Sequence, residues 1–131
     1  MAHVLLKRFT GHKGPVNGLA FRRRTHQLFS GSGDRTLKVW NLDEMSYVET
    51  LFGHEDAVLG VASLDRDRAL SCGARDRSLR LWKITEESQL VFNGSHGSSD
   101  CVAMVNEAKF VSGTDAGFVH FFFLFFRCDE L

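Results

Sequence analysis

His12, Ser30 and Asp34 are the residue types of a serine hydrolase triad, and His54, Cys72 and Asp76 repeat the set with a thiol as the nucleophile. Such a set performs acyl transfer when the nucleophile is exposed beside an oxyanion hole, and it occurs once per site. Here it occurs twice, 42 residues apart at the histidine, and each copy runs on to a tryptophan, Trp40 and Trp82. That recurrence suits a structural role, and no catalytic residue is assigned.

Other chemistry is thinner. Gly31-Ser32-Gly33-Asp34 is Gly-rich but lacks the following Lys-Ser pair and helix of a phosphate loop, so it reads as a turn. His3, His26, His96 and His120 have no metal-ligand spacing, and Cys72, Cys101 and Cys128 form no Cys-x-x-Cys pair. Neither a metal nor a cofactor is expected. The arginines carry more information. Arg22-Arg23-Arg24 is a basic triplet, Arg35, Arg75 and Arg77 flank Asp34 and Asp76, and Arg outnumbers Lys eleven to five. The guanidinium fork suits phosphate or carboxylate, which makes these six the candidate contacts for a partner bearing either group. Residues 1–41 carry eight basic side chains and one acidic, and residues 42–131 eight basic and fifteen acidic, so a net charge of zero conceals a basic first third.

The elements that must hold these residues come from an internal repeat. Gly11-His12 recurs as Gly53-His54, and the distance from histidine to tryptophan is 28 residues both times. "VNGLAF" answers "VLGVAS", and "GDRTLKVW" answers "RDRSLRLW". A third copy begins at Gly94 with Ser95 in place of the histidine, keeps Ser112, carries Asp115 one position early, and has Phe122 in place of the tryptophan. Within each unit apolar residues alternate with polar ones over runs of five or six, broken by turn residues. The first unit predicts strands over 16–22, 27–32, 36–41 and 46–52. The expected class is all-β.

A unit of 40 to 45 residues with Gly-His near its start and Trp near its end resembles the WD40 repeat, one blade of a β-propeller. The second letter of the Trp-Asp signature has drifted to Asn41 and Lys83. The resemblance implies a buried hydrogen-bond chain in each blade: His12, Ser30, Asp34 and Trp40 in the first, His54, Cys72, Asp76 and Trp82 in the second. A buried carboxylate and a buried indole N–H both need partners, and Cys72 is a poor one. In the implied propeller the turns bearing Arg35, Arg75 and Arg77 share a rim with the Gly-His loops, while the triplet lies on the opposite face.

Segments that the repeat does not require, "GLAFRRRTHQLFS", "SYVETLFGHEDAV" and "RDRSLRLWKITEESQLVF" among them, are similar to the WD-repeat proteins of the U3 small nucleolar ribonucleoprotein. That resemblance implies a non-enzymatic nucleolar protein that meets U3 small nucleolar RNA and small-subunit processome proteins in pre-rRNA processing. A protein-only WD40 scaffold is the alternative. The expected organisation is WD40 repeats over 1–117, with blades near 9–52, 53–93 and 94–122, as two and a half to three blades of a larger, seven-bladed ring. Residues 118–131 stand apart: half of the twelve Phe lie there, as a translated pyrimidine tract would give, and the expectation is intron read-through. Residues 118–126 are too short to cross a bilayer as a helix, no leader peptide is read at the start, and the final Cys-Asp-Glu-Leu has no entry signal to act with.

Overall fold

The computed structural model describes residues 3–93 and 98–124, all of them in strands, turns or irregular backbone. Eleven strands follow in chain order: β1 (Val16–Phe21), β2 (Gln27–Ser32), β3 (Leu37–Asn41), β4 (Ser46–Leu51), β5 (Val58–Ala62), β6 (Arg68–Gly73), β7 (Leu79–Lys83), β8 (Ser88–Phe92), β9 (Ser99–Asn106), β10 (Lys109–Thr114) and β11 (Val119–Phe123). They form antiparallel meanders in three sheets, β1-β2-β3-β4, β5-β6-β7-β8 and β9-β10-β11. The four strands expected in the first unit are these, shortened by a residue at three ends. Val119–Phe123, inside the Phe-rich segment, pairs residue for residue with β10. Residues 125–131, with Cys128, and Ser95 at the start of the third unit lie outside the described residues.

Period-two alternation gives each sheet two faces, and the sheets stack through them. From the first sheet Phe29, Leu37 and Val39 meet Val58, Ala69 and Trp82 of the second. From the second, Leu70, Leu79 and Leu81 meet Phe110 of the third, with Phe122 and Leu124 beside it. The approach is close at β2, where a Cβ on Gly31 would stand 2.6 Å from side-chain carbons of Val58 and Val61, so only glycine fits. Burying the larger of these side chains in well-packed interfaces contributes about 1.5–3 kcal/mol each, which is how sheets of such short strands are held.

Candidate functional site

Trp40 lies opposite Leu28 on β2, and Ser30 is two positions further along, on the same face. The Trp40 indole N–H therefore reaches Ser30, donating to Oγ at 2.8 Å. Ser30 Oγ in turn lies 2.7 Å from His12 Nε2, and His12 Nδ1 lies 2.9 Å from Asp34 Oδ2. With Nδ1–H donating to the carboxylate, the direction is set along the whole chain: indole to hydroxyl, hydroxyl to Nε2, Nδ1–H to Asp34. Asp34 also accepts from the backbone N–H of Lys13 and Thr36 and from the Thr36 hydroxyl. Burial works against its charge, but the bonds from Thr36, His12 and Lys13 outweigh that and hold the carboxyl well below its usual range.

The second sheet repeats this arrangement with a different serine. Trp82 Nε1 donates to Ser71 Oγ at 2.8 Å, and Ser71 Oγ lies 2.6 Å from His54 Nε2. His54 Nδ1 then meets Asp76 Oδ2 at 2.9 Å. Cys72, the residue expected here, is not in the network. Its side chain faces the opposite way, into the apolar cluster of Leu70, Leu79, Leu81 and Phe110. Its thiol is 3.8 Å from the Gly60 carbonyl, and burial pushes it up to about 12. The cause is a pair of compensating shifts. From histidine to serine the chain runs 18 residues in the first unit and 17 in the second; from serine to tryptophan it runs 10 and then 11. One hairpin is a residue shorter and the next a residue longer, so a fixed period of 42 lands one residue late. Sliding "ALSCG" against "LFSGS" as strands would have aligned Ser71 with Ser30.

This geometry answers the triad question. Ser30 is 3% and Ser71 0% exposed, and each hydroxyl already accepts from an indole where an acyl group would have to approach. Burial is the larger influence on His54 and lowers its pKa, opposed by Asp76. His54 and Asp76 are the more deeply enclosed pair, with side chains 0% and 4% exposed against 7% and 13% for His12 and Asp34, while Phe9 packs on the Trp40 ring at 4.9 Å. In the third sheet Phe122 stands opposite Phe110 and brings no N–H, and buried Ser112 Oγ has no partner among the described residues. Asp115 instead accepts from the Ser98 N–H.

The six arginines fall on two opposite ends of the sheets. Arg22, Arg23 and Arg24 form the β1–β2 turn, which touches the β5–β6 turn through Arg23 N–H to the Leu64 carbonyl and Arg22 Nε to the Asp65 carbonyl. Arg23 also lies 3.9 Å from the Asp65 carboxylate. Arg66, in that neighbouring turn, is exposed and was not singled out from the sequence. Its position in the turn equivalent to the triplet is the signal that would have found it. At the other end, Arg35 follows Asp34, and Arg75 and Arg77 flank Asp76; the Arg75 N–H donates to Asp56. Arg24, Arg35 and Arg77 have φ of 64°, 74° and 53°, in the left-handed region. Among the described residues no three His, Cys, Asp or Glu side chains gather closely enough to hold a metal ion.

Known proteins place this arrangement. The chain is 62% identical over 111 residues to the human U3 small nucleolar RNA-interacting protein 2, covering 85% of the chain and 23% of that protein. To the U3 snoRNP-associated protein-like EMB2271 of Arabidopsis thaliana it is 42% identical, covering 83% of the chain and 22% of that protein. The chain thus spans about a quarter of the length of these curated relatives. A solved structure of U3-55K superposes with a TM-score of 0.89 at 56% identity, covering 91% of this chain and 36% of that one. The sequence model of the WD domain, G-beta repeat, matches residues 3–41 and 45–83, the two units whose tryptophans close the networks. With more than half of its length matched in this way, the chain belongs to the WD40 repeat family.

Proposed function

We propose that the chain is part of a non-catalytic WD40 propeller of a U3 small nucleolar ribonucleoprotein, acting in the nucleolus in pre-rRNA processing. The observation that carries this reading is the identity of 62% and 56% to the human U3-interacting protein and to U3-55K, sustained over most of the chain. The geometry supports it in two ways. The His-Ser-Asp sets are engaged in holding the sheets, which leaves them no part in turnover. The arginines stand in turns at the ends of strands, where exposed guanidinium groups can reach backbone phosphates. Arg23, Arg24 and Arg66 at one end and Arg35, Arg75 and Arg77 at the other are the proposed RNA contacts.

An epitope-tagged chain expressed in cells and immunoprecipitated should recover U3 small nucleolar RNA above other small RNAs. Binding of that RNA by the purified chain should weaken with salt, and Arg24→Glu with Arg66→Glu should lower the slope of log affinity against log salt by about 1 per lost phosphate contact. Recovery of intact protein without U3 RNA would refute the reading. It would favour a scaffold that binds proteins alone, which the acidic neighbours of the arginines (Asp65 beside Arg23, Asp56 beside Arg75) would suit.

A further inference from the structure

Adjacent sheets meet tightly at their inner strands and diverge toward the outer ones. At the second boundary aromatic rings fill the divergence: Phe92 lies 5.3 Å from Phe110 and 6.0 Å from Phe122. At the first boundary it stays open as a groove of about 320 Å³, between the end of β4 and the β7–β8 hairpin. Leu51 and Phe52 form one wall; Trp82 and Ile84 form the other. Phe52 is 71% exposed. It occupies the position directly before Gly-His, where the first and third units have the polar residues Thr10 and Asn93. Phe52 thus joins Leu51, Trp82 and Ile84 in one apolar lining that the polar residues at the equivalent positions of the other units do not extend.

The carboxylates at the groove are unpaired while its cations are engaged. Glu49 on β4 and Glu87 in the β7–β8 turn both line it, and among the described residues no cation is paired with either carboxylate. Among the described residues, Lys83 lines the groove but lies against Glu86 at 3.7 Å, and Arg80 at its edge is held by Gln89 Oε1 at 2.9 Å. An apolar floor between unpaired carboxylates repels a phosphate backbone and complements a cation beside an apolar side chain. We infer that this groove docks an extended peptide of a partner protein, placing an aromatic or branched aliphatic side chain between Phe52 and Trp82 and a neighbouring Lys or Arg against Glu49 or Glu87. The site is independent of the RNA contacts proposed above.

Panning a random dodecapeptide phage library on the immobilised full chain tests this. The expected result is enrichment of sequences with a large apolar residue next to Lys or Arg. Synthetic peptides of that set should bind Phe52→Thr and the double variant Glu49→Lys with Glu87→Lys at least about tenfold more weakly, as for the central residues of an interface. Phe52→Thr copies the residue at the same place in the first unit, and circular dichroism should show it folded like the parent. Peptides that bind parent and variants equally, or an enriched set without basic residues, would overturn the proposal. So would loss of polyuridylate binding in Phe52→Thr with no peptide enriched, which would make the groove an RNA contact.

Discussion

Ser71→Ala removes one oxygen and strands two buried groups. The Trp82 indole N–H loses its acceptor at 2.8 Å, and His54 Nε2 loses its hydroxyl at 2.6 Å. Neither recovers water, because Trp82 is 5% exposed and the His54 side chain 0%. At about 1–3 kcal/mol for each buried polar group left unsatisfied, the substitution should cost roughly 2–6 kcal/mol. That is a large share of the roughly 5–15 kcal/mol that holds an ordinary domain. Cys72→Ala, one residue away and equally buried, strands no strong hydrogen-bonding group and should cost only about 1 kcal/mol.

Urea unfolding of the full chain, followed by tryptophan fluorescence, separates the two. The hydrogen bond itself is isolated by a double-mutant cycle with Trp82→Phe, which deletes the N–H. Combined with Trp82→Phe, Ser71→Ala should be milder by about 1–2 kcal/mol, the coupling expected of direct partners. Equal costs for Ser71→Ala and Cys72→Ala, or no coupling to Trp82, would refute the network as drawn.

Phe122→Trp should supply the missing donor to Ser112 and raise the unfolding midpoint by an amount worth about 1 kcal/mol; a fall would show that the site cannot take the larger ring. The pH dependence has a definite sign. His54, Asp34 and Asp76 all have folded pKa values below their ordinary ones, so the unfolded chain takes up protons first and acid destabilises. The His54 contribution is complete above its ordinary value of 6.5 and declines below it, and the aspartates add a steeper loss below 3.8. A urea midpoint that stays level as pH is lowered through both windows would contradict this. Thiol labelling of the native chain should modify exposed Cys101 and spare buried Cys72, as mass spectrometry of tryptic peptides would show. Arg35→Gly relieves left-handed strain of roughly 1–2 kcal/mol against ~0.4–1 kcal/mol of added unfolded-state entropy, so stability should rise slightly while RNA affinity falls.

The strands were legible because a period of two and regular turn residues state them directly, and in the first unit they fall within a residue of expectation. The networks were legible at their ends, His12 to Trp40 and His54 to Trp82, because those positions keep one spacing in both units. Ser71 was hidden by two opposite one-residue changes in hairpin length, which a count along the chain cannot see. Strand pairing sees them at once, since a one-residue slip turns a side chain to the other face. Phe52 and the groove lay further out of reach: an exposed Phe in a strand-like run reads as core until the neighbouring sheet shows what it misses. Val119–Phe123 reads as foreign by composition, yet five residues of alternating exposure are all that a third strand demands.

The buried networks also bear on what the rims can do. Asp34 receives bonds from Lys13, His12 and both donors of Thr36, so the residue between Asp34 and Thr36 is clamped from two sides. That residue is Arg35, at φ 74°. Asp76 clamps Arg77 at φ 53° in the same way, through His54, Glu55 and both donors of Ser78. A non-glycine residue stays in this region only where its surroundings over-determine it. The backbone ordering of both arginines is thereby completed within the fold, before any partner arrives, and a preordered contact loses less on binding. For the RNA contacts proposed above, breaking a network should therefore weaken binding although every rim arginine is kept. In Ser71→Ala at a temperature where the chain remains folded, RNA affinity should drop toward that of Arg77→Ala, with hydrogen exchange at the Arg77 and Ser78 amides accelerated. Unchanged exchange at those amides would separate the network from the rim and leave it a purely structural device.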